Sequence, residues 1–206
     1  MPALLPRKFF EEPAPLVAPR LIGSRLVHRL NGERLAGIIC EVEAYEGEAD
    51  LASHAHVGRT ARNSFMYGEA GHAYIYFTYG MHWLFNIVTE PEGLPSAVLV
   101  RALYPVEGLE RMAQLRTRSA FQEGWLNGPA KLTQAMGLDG KLNGVNLCTE
   151  ESGLFLEADL RIPAEMLHVS ARVGLGLTPE PWLSQPWRWF VERADLIHVL
   201  EQRKPL

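Results

Sequence analysis

The chain has 206 residues, 47% of them hydrophobic and 21% charged, with a formal net charge of −4, which is enough apolar material for one compact domain, or at most two small ones, and we expect a single domain spanning 1–206. No stretch approaches the roughly 20 consecutive apolar residues of a membrane span, "MPALLPRKFFEEPAP" lacks the apolar run of a signal peptide, and the net acidity argues against general coating of nucleic acid. We therefore expect a cytoplasmic protein whose Cys40 and Cys148 are free thiols, because two distant cysteines match no zinc spacing.

The first third of the chain predicts a short helix, a hairpin and a loop. "APLVAPRLIG" is typical of a helix that ends at Gly23. "RLVHRL" and "ERLAGIICEVEAY" flank Asn31-Gly32, which is the preferred two-residue pair for a hairpin turn. Residues 46–71 have the composition of a loop, with one helical turn expected near Leu51–His54.

The stretch "HAYIYFTYGMHWLFN" predicts a second hairpin with an apolar tip. Two alternating runs flank Tyr79-Gly80. Because tyrosine resists positive φ, this pair favours a type II turn, or a turn closed by a glycine bulge, over a type I′ turn. Tyr79 and Met81 should then lie at the exposed tip, where apolar groups need a partner.

The remainder of the chain predicts further strands and two helices. "SAVLVRALYP" predicts a buried strand interrupted by Arg101, and "VEGLERMAQLRTR" and "NGPAKLTQAMG" have helical spacing, the latter with Pro129 near its start and Gly137 after its end. Short strands are expected at Leu154–Glu157, Leu167–Val173 and Trp187–Val191. Strands outnumber helices and hairpins dominate, so the prediction is an α+β fold with a curved, mainly antiparallel sheet, surrounding helices and a protruding hairpin.

Candidate chemistry begins on the strand "AGIICEVEAY". Alternation places Ile39, Glu41, Glu43 and Tyr45 on one face. An unpaired Arg101 inside a buried strand would be costly, so it needs a carboxylate, which either Glu41 or Glu43 could supply. A carboxylate held by arginine at the border of a pocket could keep its charge and activate water. Structural salt bridges would explain the same residues equally well.

The histidines raise the alternative of a metal site. His54 and His56 in "SHAH", with His72 and His82 further on, could bind a metal together with nearby carboxylates. No tight histidine pair at helical spacing is joined by a carboxylate, so we expect no metal. No cofactor is indicated either, because no glycine-rich phosphate loop follows a strand, and no G-x-S-x-G elbow marks a nucleophilic serine.

Six segments together resemble the alkyladenine (methylpurine, 3-methyladenine) DNA glycosylase family. They are "CEVEAYEGEADLASH", "ARNSFMY", "AYIYFTYGMHWLFNIV", "VLVRALYPVEGLERM", "NGPAKL" and "ARVGLG". Their order and spacing match from about Phe9 to about Val199. The combination of E-A-Y, a histidine eleven residues after that glutamate, Y-x-Y-x-x-Y-G-M and L-V-R-A-L is highly specific.

The resemblance implies an enzyme of base-excision DNA repair that acts on double-stranded DNA. It would flip out an alkylated or deaminated purine, such as 3-methyladenine or hypoxanthine, and hydrolyse the N-glycosidic bond. Such an enzyme is monofunctional: water attacks the sugar, no lysine Schiff base forms, and neither metal nor cofactor is needed. The implied fold is similar to the C-terminal domain of methionyl-tRNA formyltransferase, and we expect a monomer.

The resemblance also implies the catalytic and intercalating residues. Glu43 matches the general base that deprotonates the attacking water. Arg101 and the backbone carbonyl of Val173 match groups that hold this water. Tyr79 matches the side chain that fills the gap left by the flipped nucleotide, with Met81 packed beside it in the minor groove.

Four further residues match the family's base-binding pocket. Tyr45, His54 and Tyr76 match side chains that stack on the flipped base, and such rings favour a cationic alkylpurine by cation–π attraction. Asn86 matches an amide against the purine 2-position. Guanine carries an amino group there and hypoxanthine and adenine do not, so the amide offers a steric filter.

Two other classes of function remain open. A catalytically silent nucleic-acid-binding module would not need Glu43 with Arg101, and a metal hydrolase built on His54 and His56 would lose activity in EDTA. Whether the protein is a DNA glycosylase or a silent binding module, its net acidity means that local basic patches would have to bind the nucleic acid. The candidate cations are Arg59, Arg62, Arg111, Arg116, Arg118, Lys131 and Lys141, although a solvated helix face explains a charge cluster as well.

Overall fold

The structure is a computed structural model that describes residues 2–117 and 126–202. Within those residues, eight strands form one sheet and four α-helices pack around it. The strands are β1 (Arg25–Leu30), β2 (Glu33–Glu46), β3 (Ala73–Thr78), β4 (His82–Thr89), β5 (Ser96–Glu107), β6 (Leu154–Glu157), β7 (Leu167–Ser170) and β8 (Arg188–Val191). The helices are α1 (Ala14–Leu21), α2 (Leu109–Leu115), α3 (Pro129–Met136) and α4 (Arg193–Glu201).

The sheet is curved and antiparallel, with the strand order β3-β4-β5-β2-β1-β6. Strand β2 is its centre. One edge of β2 pairs with β5, while the other edge pairs first with β1 and then, at Glu41–Glu43, with β8, which in turn pairs with β7. The predicted α+β class with a mainly antiparallel sheet is confirmed, and the topology places both candidate glutamates in the middle of the sheet.

The β1–β2 hairpin has the predicted two-residue turn. Leu30 pairs with Glu33, and Asn31 and Gly32 have φ values of 51° and 84°. A type I′ turn needs positive φ at both central residues, and asparagine followed by glycine provides this at low cost.

The β3–β4 hairpin has a turn that differs from the prediction. Thr78 pairs with His82, and the N–H of Met81 donates to the carbonyl of Thr78 over 3.2 Å. Tyr79 and Gly80 both have positive φ, 51° and 66°, so the expected type II turn, in which the first central residue has negative φ, is wrong. Tyr79 and Met81 are 83% and 67% exposed at the tip.

Helices α1 and α3 cover the sheet with apolar faces. Val17, Ala18 and Leu21 of α1 are fully buried in contact with β2 and β5, and Leu132 and Met136 of α3 are buried in contact with β4 and β5. The three predicted helices are confirmed, α3 together with the glycine after its end. Helix α4 was not predicted.

Local structure between the strands differs from the prediction in two places. The helical turn expected near Leu51–His54 lies instead at His54–Val57, and a second 3₁₀ turn spans Ser64–Tyr67. The strand expected at Leu167–Val173 ends at Ser170, since the next residues leave the sheet edge to contact β2 and the loop that follows it.

Two findings bear on the general character of the chain. None of the helices in the described residues is long and apolar enough to cross a membrane. Cys40 and Cys148 are free thiols, as predicted, and burial raises the pKa of Cys40 to about 12, which makes this thiol unreactive.

Candidate active site

A cavity of about 540 Å³ opens beside the centre of the sheet. Its walls come from the loop after β2, the β3–β4 hairpin, β5, the start of α3 and the segment after β7. Seven of the nine predicted site residues line it: Tyr45, His54, Tyr76, Tyr79, Asn86, Arg101 and Val173. Of the other two, Met81 lies at the exposed hairpin tip, and Glu43 lies behind the wall of the cavity.

The Glu43 carboxylate is fully buried and held by neutral donors. Its Oε1 accepts from the backbone N–H of Val173 over 2.6 Å, and its Oε2 accepts from the Tyr45 hydroxyl over 2.9 Å. The Nε of Arg101 lies 3.4 Å from Oε1. Burial raises the pKa of Glu43, against the opposing effects of Arg101, the Val173 N–H and the Tyr45 hydroxyl. The structure brings the backbone N–H of Val173, which the sequence analysis did not select, to this carboxylate; the contact of the Val173 carbonyl with water stays a prediction.

Glu41 is the closer partner of Arg101. One oxygen of Glu41, Oε1, accepts from the Nε of Arg101 over 2.8 Å and from the Nε of Arg188 over 2.6 Å. Arg101 therefore bridges both glutamates, and the choice left open by the sequence is settled in favour of Glu41 as its principal counterion. Glu43 keeps only the longer contact.

Two irregularities in the pairing of β2 with β5 determine the direction of the Glu41, Glu43 and Arg101 side chains. The register runs from Ile39 opposite Leu103 to Glu41 opposite Ala102 and then to Val42 opposite Val100, so Cys40 and Arg101 are both passed over. Bulges of this kind redirect side chains near functional sites. Strict alternation is broken here. Ile39, which alternation placed with the glutamates, packs instead in the main core with Val42.

A buried ion pair that the sequence did not reveal fixes one wall of the cavity. Arg172 donates from Nη1 and Nη2 to the two oxygens of Asp50 over 2.5 and 3.0 Å, and both side chains are fully buried. Its Nη1 also donates to the Ala44 carbonyl, and its guanidinium lies 4.7 Å from the centroid of the Tyr45 ring. Arg172 thus contacts the ring of Tyr45 and brings the adjacent Val173 to Glu43.

The remaining polar side chains of the cavity form a second network around Tyr74. The Nδ1 of His54 lies 2.9 Å from the Tyr74 hydroxyl, and the His54 ring stands edge-on to Tyr76 with centroids 4.4 Å apart. Asn86 donates from Nδ2 to the Tyr74 carbonyl over 3.0 Å. Burial lowers the pKa of His54 to about 4, so the ring is neutral near pH 7. Tyr74, which the sequence analysis did not select, joins the predicted base-binding residues together.

The predicted basic patches are only partly available to a ligand. Arg59 and Arg62 lie over the rings of Tyr67 and Tyr76, each 5.5 Å from the centroid. Lys131 lines the cavity. Arg116 is buried and Arg111 pairs with Glu33, while Arg118 lies outside the described residues. Arg116, one of the candidate cations, is therefore not available to a nucleic acid, because it is buried.

The histidines do not gather as the metal alternative requires. The Nδ1 of His56 lies 2.6 Å from the Ser53 carbonyl, and the Nδ1 of His72 lies 3.0 Å from the Glu69 carbonyl. Across the described part of the chain, no group of three or more histidine, cysteine, aspartate or glutamate side chains is placed to hold a metal ion.

Comparison with known proteins gives a consistent result over nearly the whole chain. The family model described as "Methylpurine-DNA glycosylase (MPG)" matches residues 8–195. A protein of Burkholderia lata is 43% identical over 92% of this chain and 88% of its own length. A protein of Methanocella arvoryzae is 41% identical over 94% and 95%, and one of Chlorobium phaeobacteroides is 44% identical over 84% and 87%. All three carry the name "Putative 3-methyladenine DNA glycosylase".

The matched range contains every element that lines the cavity, from the end of β2 to the segment after β7. Both the extent of the family match and the identity to these relatives lead to one conclusion: the chain belongs to the methylpurine-DNA glycosylase family.

Proposed function

We propose that this protein is a monofunctional DNA glycosylase that removes alkylated or deaminated purines from double-stranded DNA, as a monomer, with a water activated by Glu43. Family membership supplies the reaction class. The observation that carries the assignment of the site is Glu43 itself, a fully buried carboxylate with a raised pKa beside a cavity lined by aromatic side chains. A binding-only module has no need of such a group, since its burial costs stability.

The reaction follows from the chemistry of the bond. Glu43 accepts a proton from water, and the water oxygen forms a bond to C1′ of the sugar. The bond from C1′ to the purine nitrogen breaks, and its electron pair leaves with the base, so a cationic alkylpurine departs as a neutral molecule, while a neutral base such as hypoxanthine departs as an anion that water then protonates. The product is an abasic sugar with a hydroxyl group at C1′. The Glu43 carboxylate also stabilises the positive charge that develops on the sugar.

The neighbours of Glu43 keep this carboxylate in place. The N–H of Val173 and the hydroxyl of Tyr45 each hold one oxygen, and Arg101 contacts it at longer range. Because Glu41 takes the short ion pair with Arg101, Glu43 stays basic enough to accept a proton. In this proposal Arg101, which lines the cavity, and the Val173 carbonyl hold the water.

The cavity receives the flipped base. Tyr45, His54 and Tyr76 present rings for stacking, and Asn86 is fixed by its bond to the Tyr74 carbonyl so that it can exclude the 2-amino group of guanine. Tyr79, exposed at the hairpin tip and at the same time part of the cavity lining, fills the gap in the duplex. Unstacking the base costs roughly a few kcal/mol, which an inserted side chain offsets in part.

The test uses duplexes that carry a single hypoxanthine or 3-methyladenine, incubated with the protein in EDTA. We expect base release that leaves an abasic site, so that strands break only after treatment with alkali. Strand scission without alkali would contradict the monofunctional assignment. Activity that disappears in EDTA and returns with zinc would support the metal alternative, and binding without release would support a silent module.

A further inference from the structure

Two of the tyrosine rings that line the cavity, Tyr45 and Tyr76, each have an arginine guanidinium over them. The guanidinium of Arg172 lies 4.7 Å from the centroid of Tyr45, and that of Arg62 lies 5.5 Å from the centroid of Tyr76. Both tyrosines line the cavity and neither arginine does. Each guanidinium therefore contacts its ring from outside the lining of the cavity.

The two arginines differ in how their charge is compensated. Arg172 forms a bidentate ion pair with Asp50 inside the protein. Arg62 makes no ion pair with any described carboxylate, and its polar contact is a 3.2 Å hydrogen bond to the Phe77 carbonyl. No described carboxylate therefore neutralises the positive charge of Arg62, which lies over the ring of Tyr76.

The charge of Arg62 acts on the cavity side chains. Burial lowers the pKa of His54 to about 4, and the charge of Arg62 contributes in the same direction. Burial raises the pKa of Tyr76 to about 12, and Arg62 opposes this rise. Both effects have the sign of a positive charge that disfavours further positive charge in the cavity.

We propose that Arg62 determines substrate specificity by disfavouring cationic alkylpurines relative to neutral damaged purines in the base pocket. This inference rests on the proposed function. A cation is attracted to an aromatic face by the ring's quadrupole. When a guanidinium occupies one face of Tyr76, a cationic base on the other face gains less attraction and is repelled by the like charge. A neutral base such as hypoxanthine stacks without that repulsion.

The experiment compares Arg62→Gln with the wild-type protein on two lesions in the same duplex sequence. Hypoxanthine is the neutral probe and 3-methyladenine, which like hypoxanthine has no 2-amino group, is the cationic one, and each excision rate is measured in single turnover with saturating protein. We expect the ratio of 3-methyladenine to hypoxanthine excision to rise about 2- to 5-fold, the scale of one exposed cation–π contact. Arg62→Met, which has a side chain of similar length without the charge or the hydrogen bond to Phe77, should raise the ratio in the same way.

Arg59→Gln is the matched control. Arg59 lies three residues away, also exposed, and at the same 5.5 Å from a tyrosine ring, but its ring belongs to Tyr67, which does not line the cavity. This variant should leave the ratio unchanged, whatever it does to DNA affinity.

The outcomes separate the inference from the function on which it rests. An unchanged ratio in both Arg62 variants overturns the inference, and so does an equal loss on the two lesions, which would make Arg62 a phosphate contact. If the wild-type protein releases neither base, the proposed function itself fails. A wild-type protein that releases both, together with an unchanged ratio, rejects only the role of Arg62.

Discussion

The β1–β2 and β3–β4 hairpins have positive φ at very different residues. Asn31 and Tyr79 have the same φ, 51°, and each is followed by a glycine with positive φ. Asparagine adopts this conformation readily, whereas for a bulky residue the left-handed region costs roughly 1–2 kcal/mol. The β1–β2 turn obeys local preference, and the β3–β4 turn opposes it in order to present an exposed tyrosine. Strain of this kind is typical of functional positions.

The ion pairs near the β1–β2 hairpin also differ from those near the cavity. Near the β1–β2 hairpin, Arg25 and Arg34 make contacts of 2.5–2.9 Å with carboxylates. These partners are Glu107, Glu157 and Asp159. Near the cavity, Glu43 lies 3.4 Å from Arg101 and is otherwise held by uncharged donors. Both regions contain arginine and carboxylate side chains. Glu43, the candidate base, therefore differs from the other carboxylates in its incomplete pairing with arginine and not in residue type.

The largest effect is expected when Glu41, the fully paired carboxylate of the cavity region, loses its charge. Glu41→Gln leaves Arg101 and Arg188 facing one another without their shared counterion. We expect a loss of about 3–5 kcal/mol in the free energy of unfolding, measured by urea denaturation. The control is Glu157→Gln, since Arg34 keeps Glu107 when Glu157 is neutral. Equal losses in the two variants would remove the distinction between the regions.

Glu43→Gln should have the opposite signature. The amide oxygen can still accept from the Val173 N–H, but the basicity is gone, so excision should fall at least ~10²-fold. Because burial raises the pKa of Glu43 in the fold, the native state binds its proton more tightly than the unfolded chain does. Ionisation of Glu43 therefore destabilises the fold as pH rises through this window, and the neutral variant should melt at or above the wild-type temperature.

Single-turnover excision and thermal denaturation measure the two effects of Glu43→Gln together. A stable variant with wild-type excision would eliminate Glu43 as the base. The pH profile is a further check. Wild-type excision of 3-methyladenine should decline in acid at a pH above the usual range of glutamate, and the residual activity of the variant should lack that decline.

The strained hairpin gives the next prediction. Tyr79→Ala should weaken binding to a lesion in duplex DNA about 10-fold more than binding to the same lesion in a single strand, which has little stacking to repair. Fluorescence anisotropy in a Glu43→Gln background measures both affinities without turnover. Met81→Ala, which changes an exposed tip residue outside the cavity lining, should have a smaller effect. Equal losses on both kinds of DNA would make Tyr79 a structural residue.

The smallest expected effect is a change in stability on substitution by glycine, which compares the two hairpin turns directly. Tyr79→Gly removes an unfavourable φ at a side chain with little packing, and the relief exceeds the entropic cost of glycine, so we expect a gain of about 0.5–1 kcal/mol in stability. Asn31→Gly should stay within about 0.3 kcal/mol of wild type. Denaturant unfolding measures both variants. A clear loss of stability in Tyr79→Gly would show that the tyrosine is not strained.

Local sequence signals predicted the parts of the fold that local physics decides. Asn31-Gly32 specified its turn, and Pro129 and Gly137 marked the ends of α3. The same signals failed at Tyr79, where the turn runs against intrinsic preference. Helix α4 gave little signal, because Leu196 is its one fully buried residue.

The candidate site was only partly predictable, for a similar reason. Tyr45, Glu43 and Arg101 stand out because charged and aromatic residues interrupt apolar strands. The Arg172–Asp50 pair joins residues 122 positions apart, and nothing near either residue indicates the other. The bulges at Cys40 and Arg101 depend on the match between β2 and β5, so alternation within one strand could not predict that Ile39 turns into the core.

The long separation in sequence between Glu43 and Val173, and between Glu41 and Arg188, has a consequence for synthesis of the chain. Val173 follows Glu43 by 130 positions, and Arg188 follows Glu41 by 147. Both glutamates therefore leave the ribosome long before their partners are made. Contacts so distant in sequence close late, because a large loop must be ordered first. A nascent chain stopped after β5 would carry Glu43 without the Val173 N–H and Glu41 without Arg188, so under the proposed function excision would become possible only when translation is nearly complete.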